Sequence, residues 1–204
     1  STACQQCLAG HSCAIASAEP VACAPGFFAL ARKMQCTRAS AGSATLANQS
    51  GEEVCSAGWF APAGSVNCSS CEEGFYAEVS SSGVGACLRV SAGYGAIIAS
   101  GSGDRVGQTP CSAGSYSTGR ADVCSPCEEG KHQGSPEALS CELCKRGWYA
   151  NFTGATACIT CPANHKCPVA SDPPQPCPDE IPSEPGSVEC LPCAKGEMRD
   201  AGAG

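Results

Sequence analysis

The sequence predicts a small disulfide-rich fold: an elongated tandem array of short β-hairpin or irregular cassettes with little regular secondary structure. Three observations carry that expectation. Cysteine accounts for 20 of 204 residues, a density typical of disulfide scaffolds. Leu, Ile, Val and Phe together number only 27, too few for a conventional apolar core in a chain of this length. The cysteines also recur in register: twelve residues separate Cys111 from Cys124, and thirteen separate Cys127 from Cys141 and Cys144 from Cys158, with a Cys-x-x-Cys step between cassettes. A repeat of about 17 residues buries no interior alone, so neighbours must stack or be closed covalently.

Each cassette opens as Cys-x-x-Gly, at Cys7, Cys23, Cys55, Cys71, Cys111, Cys127, Cys144 and Cys193. Glycine at a fixed offset predicts a recurring tight turn with positive φ. After Cys161 the slot holds Asn164, the next most tolerant residue, and Cys177 departs from the rule. An aromatic slot follows, filled by Phe28, Phe60, Tyr76, Tyr116 and Tyr149 and expected to lie over a neighbouring disulfide, with Trp59 and Trp148 one residue earlier. From the N-terminus, residues 1–54 begin a super-repeat and include a cysteine-free cassette at 39–52. Residues 55–110 hold further cassettes and a Gly/Ser/Ala-rich stretch, 88–110, expected to be a flexible joint. Residues 111–160 are the regular short cassettes, and 161–204 begin the super-repeat again. The spacing Cys4-x2-Cys7-x5-Cys13-x9-Cys23-x12-Cys36 recurs as Cys158-x2-Cys161-x5-Cys167-x9-Cys177-x12-Cys190, 154 residues later.

Two cassettes have lost cysteines, and always two at once. Ala39 stands at one opening position with Glu52 at its closer; Val90 and Gln108 hold the same places in the other. Paired loss is expected when opener and closer bond each other, since losing one alone leaves an odd thiol. This predicts Cys23–Cys36, Cys55–Cys68, Cys71–Cys87, Cys111–Cys124, Cys127–Cys141, Cys144–Cys158 and Cys177–Cys190. The remaining cysteines point to Cys7–Cys13 and Cys161–Cys167; an interleaved pattern, Cys7–Cys23 with Cys13–Cys36, is the open alternative there and at its copy. Cys4 and Cys193 are left unpaired within the segment, their expected partners lying in neighbouring cassettes of a longer chain.

With a net charge of −7 and only 12 Lys plus Arg, the chain offers no basic patch to neutralise phosphates, which excludes nucleic acid as an expected partner. No apolar run approaches a membrane span. The spacing Cys124-x2-Cys127-x13-Cys141-x2-Cys144 is close to that of a four-cysteine zinc site, but the pairs chain continuously instead of coming in fours, so no cofactor is expected and a zinc module is the minor alternative. Asn48, Asn67 and Asn151 head N-glycosylation sequons, Asn67 being weakened by its central cysteine. His132 fills an aromatic slot, and His11 and His165 share the slot after the turn residue; none has a Ser/Asp companion set, and no enzyme is expected. Glu72-Glu73 and Glu128-Glu129 read as a solvated rim, with weak calcium binding as the alternative. Asp172–Pro176 is expected to be extended.

The phrase Cys-x2-Cys-x-x-Gly-x-aromatic, with its Cys-x5-Cys-x9-Cys variant, resembles the ephrin-receptor-like cysteine-rich repeat of the growth-factor-receptor cysteine-rich group. With the Ala/Gly/Ser bias and the 154-residue array, the chain also resembles the glycoproteins of algal flagellar hairs, the mastigonemes. The resemblance implies a structural segment of a large secreted or cell-surface glycoprotein, a disulfide-stapled spacer or assembly surface in an extracellular fibre or stalk. Further repeats of the same chain, other copies or subunits, and N-linked glycans would be its partners. A receptor ectodomain binding a protein ligand is the alternative, distinguished by a membrane anchor and cytoplasmic domain in the parent gene.

Overall fold

The structure is a computed structural model that describes residues 6–15, 18–78, 84–178 and 181–191. Cys4 and Cys193 lie outside the described residues. The described chain is small, disulfide-rich and, within those residues, free of helix. Its strands pair consecutively as two-stranded antiparallel hairpins in tandem. Most strands are two residues long, as in Ser115–Tyr116 paired with Ser125–Pro126, and Trp148–Tyr149 paired with Ile159–Thr160. The chain divides into two units: 1–90 with 96–109 and 120–122, and 91–95 with 110–119 and 123–204.

Hairpins this short have little stability of their own, and the structure shows what the cassettes lean on. In each described cassette from Cys23 to Cys177 the amide of the opening residue donates to the carbonyl of the preceding turn residue at 2.8 to 2.9 Å, beginning with Cys23 to Gly10 and ending with Cys177 to Asn164. The turn glycine then donates forward, to the carbonyl three residues past the next turn glycine: Gly42 to Ala61, Gly58 to Ala77, Gly114 to Gln133 and Gly130 to Ala150, at 2.6 to 2.8 Å. In a third set the opener's carbonyl accepts from the amide four residues before the next closer, Glu137 donating to Cys111 and Gly154 to Cys127. Each cassette thus satisfies its main-chain groups on its neighbours.

Side chains contribute small plugs instead of a layered core. The buried apolar residues are mostly Cys and Ala: Cys55, Cys71, Cys111, Cys127 and Cys161 among the openers, with Ala29, Ala61, Ala77 and Ala150 at the forward-bonded position. Small residues there let one backbone approach the next closely.

The two super-repeat copies fold in the same register. His11 pairs with Ala22 and Ser12 with Val21; 154 residues on, His165 pairs with Pro176 and Lys166 with Gln175. Their inter-cassette bonds match equally: Cys13 to Lys33 corresponds to Cys167 to Ser187, and Arg32 to Cys7 corresponds to Gly186 to Cys161.

Residues 88–110, the expected joint, contain the longest hairpin of the described chain, Tyr94–Ile98 with Arg105–Pro110. A longer ladder stands there in place of a missing cystine. Tyr94 and Ile97–Ile98 supply the β-prone residues that the small Gly/Ser/Ala background conceals.

Candidate functional site

Nine disulfides join Cys7–Cys13, Cys23–Cys36, Cys55–Cys68, Cys71–Cys87, Cys111–Cys124, Cys127–Cys141, Cys144–Cys158, Cys161–Cys167 and Cys177–Cys190. The structure therefore holds sequential loops, and neither super-repeat copy is interleaved. The zinc-like set is divided among three of them: Cys124 bonds Cys111, Cys127 bonds Cys141, and Cys144 bonds Cys158. A sulfur bound in a disulfide has no thiolate to offer a metal.

The turn glycines have the predicted conformation, φ lying between +78° and +84° after each described opener that carries one, and Asn164 adopts +59°. A second reason for glycine was not legible in the spacing. A Cβ at Gly114 would collide with the carbonyl oxygen of Gly154, two cassettes on. The same approach recurs, for example between Gly93 and the carbonyl of Glu137. Several of the partner residues are themselves left-handed: Gly64 (+79°), Gly154 (+77°) and Gly186 (+81°), and with them Arg120 (+58°) and Glu137 (+58°).

Where cystines are missing, ionic and polar side chains stand in. At 39–52, the Ser40 amide and hydroxyl donate to Glu52 at 2.6 and 2.9 Å, tying the cassette's opening end to its closing slot. Near 90–108, Asp122 accepts from the Gly74 amide at 3.0 Å, taking the place that a main-chain carbonyl occupies elsewhere. Arg105 grips Asp122 through Nε at 2.7 and 2.9 Å and a terminal nitrogen at 2.6 Å, and also donates to the Cys71 carbonyl at 3.2 Å. Both side chains are largely buried, at 24% and 16% exposure. The Arg105 hydrogen bond holds the Asp122 carboxyl below its ordinary value, against a smaller opposing effect of desolvation.

The chemically richest spot is the rim of the Cys144–Cys158 disulfide. His132 Nδ1 lies 3.2 Å from Cys158 Sγ, so this histidine, in its aromatic slot, does reach the next cassette's disulfide. A ring nitrogen of His132 and the sulfurs of Cys144 and Cys158 lie within 4.8 Å of one another, the donor types of a metal site, but both sulfurs are consumed in the disulfide. An open concavity beside them is lined by His132, Glu142, Leu143, Lys145, Trp148, Ala157 and Cys158. Lys145 Nζ sits 4.2 Å from the centre of the Trp148 ring.

The other candidates are dispersed. His11 and His165 each place Nδ1 near a carbonyl two residues back, Ala9 at 3.3 Å and Ala163 at 3.0 Å. Glu128 is paired with Lys131 at 2.7 Å on the surface, and that contact lowers its carboxyl below the usual range. Asn48, Asn67 and Asn151 are all exposed, and Asn48 Oδ1 accepts from the Ser50 amide and hydroxyl at 3.1 and 2.7 Å.

Compared with known proteins, the chain matches no family model, and no curated protein matches it.

Proposed function

We propose that this chain is a structural segment of a large secreted or cell-surface glycoprotein, serving as a disulfide-stapled spacer or assembly surface in an extracellular fibre or stalk. The observation that carries the reading is the cassette-to-cassette register of main-chain hydrogen bonds, locked by nine disulfides. Such cross-linking is stable in the secretory route and outside the cell. A chain built this way propagates by adding cassettes, each new one meeting the carbonyls and amides of the last. No helix of the described residues is long and apolar enough to cross a membrane. The exposed sequon asparagines, Asn48, Asn67 and Asn151, are positions where N-linked glycans would be tolerated. The resemblance to ephrin-receptor-like repeats, and to the flagellar-hair glycoproteins that carry them, supports the same reading.

A spacer must keep its length under tension. Pulled as a single molecule, the oxidised segment should release only the residues outside its disulfide loops. Adding a reductant should then free further steps of roughly 4 nm for each 13-residue loop. Full extension at low force without reductant would count against a spacer role.

A further inference from the structure

We propose that the Cys144–Cys158 disulfide is a thiol-exchange site, a modification site at which a small thiol is taken up on Cys144 while Cys158 is released. Access is the first argument. Seven of the nine disulfides contain at least one buried cysteine; Cys144–Cys158 and Cys177–Cys190 contain none. The second argument separates those two. Cys158 Sγ has His132 Nδ1 at 3.2 Å, a ring nitrogen able to donate to a departing thiolate. Cys177 Sγ has only the Ser183 hydroxyl at 3.5 Å, and that hydroxyl already donates to the His165 carbonyl at 2.5 Å. The third argument is charge. Lys145 follows Cys144 directly and shares the open concavity with His132 and Cys158, and cationic surroundings favour thiolate. Glu142 on the same rim opposes this in part.

The step balances without an outside oxidant. A thiolate attacks Cys144 Sγ and forms a new sulfur–sulfur bond. The electron pair of the Cys144–Cys158 bond leaves on Cys158 Sγ, where the Nδ1–H of His132 donates a hydrogen bond to the new thiolate. One thiolate is consumed and one released, so charge and oxidation state are conserved. A better-stabilised leaving thiolate departs faster.

The test uses the full oxidised chain with limiting reduced glutathione, trapping free thiols with a maleimide at timed points and mapping peptides. Glutathione should appear on Cys144, with the maleimide on Cys158, roughly tenfold sooner than at Cys127–Cys141. That disulfide has the same sequence separation of 14 and a fully buried Cys127, making it an internal control. His132→Phe, which keeps an aromatic in the slot as Phe28 and Phe60 do, should slow Cys144–Cys158 several-fold and leave the control unchanged. Equal rates at the two disulfides in the unaltered chain would overturn the proposal, whatever the variant does. Glutathione on Cys158, or an unslowed variant, would overturn the role given to His132.

Discussion

The cassettes at 39–52 and 90–108 have no cystine, whereas those at 111–124, 127–141 and 144–158 each have one, yet the main chain follows one register through both kinds. In the cystine cassettes a buried opener such as Cys111 or Cys127 donates to the preceding glycine carbonyl at 2.8 Å; in the others Ala39 and Val90, equally buried at 1% and 0% exposure, make the same bond at 2.9 Å. What differs is closure. One kind closes with a covalent bond. The other closes with Ser40 on Glu52, or with a longer hairpin and the Arg105–Asp122 clamp. The comparison teaches that the turn and the main-chain bonds set the stacking, while the cross-links stabilise a geometry they do not define.

The strongest way to break the distinction is to convert one kind into the other. Replacing Cys111 and Cys124 together with Ala should cost about 3 kcal/mol, the loop-closure contribution for a loop of this size, as read from urea unfolding. The neighbouring hairpins should persist, since the Cys111 amide keeps its bond to Gly93. Next in size is the turn itself. Gly114→Ala should lose at least about 2 kcal/mol, from left-handed φ plus collision with the Gly154 carbonyl. Gly101→Ala, equally left-handed at +92° but facing open space, should lose only about 1 kcal/mol. The gap between these two variants measures the interlock apart from the backbone preference.

The ionic clamp gives an effect of similar order with a pH signature. Asp122→Asn should cost about 2 kcal/mol, because Arg105 loses its charged partner and an amide NH2 replaces the Oδ2 that accepts from it. The carboxyl is lowered in the folded chain, chiefly by the Arg105 hydrogen bond. Its stabilisation is therefore fully present above the ordinary carboxylate value, and lost as pH falls through the lowered one. Stability measured against pH should show that acid loss in the unaltered chain and a shallower one in the variant. Glu52→Gln should have the smallest effect, about 1 kcal/mol, since Glu52 closes an exposed loop.

Much of this was legible from spacing. The lost pairs Ala39/Glu52 and Val90/Gln108 placed the cassette boundaries, and the glycine offset foretold left-handed turns at Gly58 and Gly114. The 154-residue echo located two segments that pair in identical register. What the sequence concealed was contact between distant cassettes. The contact of Gly114 with Gly154 left only a partial trace, since glycine recurs four residues before the closer at Gly64, Gly154 and Gly186 while Arg120 and Glu137 fill the same place. That Asp122, 48 residues from Gly74, substitutes for a carbonyl left none, because one ordinary residue suffices there. The His132 contact with Cys158 was half visible, since the aromatic slot was expected over a disulfide and His132 occupies that slot. That Lys145 and Trp148 share its rim needed both to be placed in space.

Amide hydrogen exchange at the opening residues tests the central claim most directly. Under native conditions the amides of Ala39 and Val90 should exchange as slowly as those of Cys55 and Cys111, because all four donate to a turn-glycine carbonyl in one shared register. Rapid exchange at Ala39 and Val90 beside slow exchange at the cysteines would show instead that the cystines define the stacking.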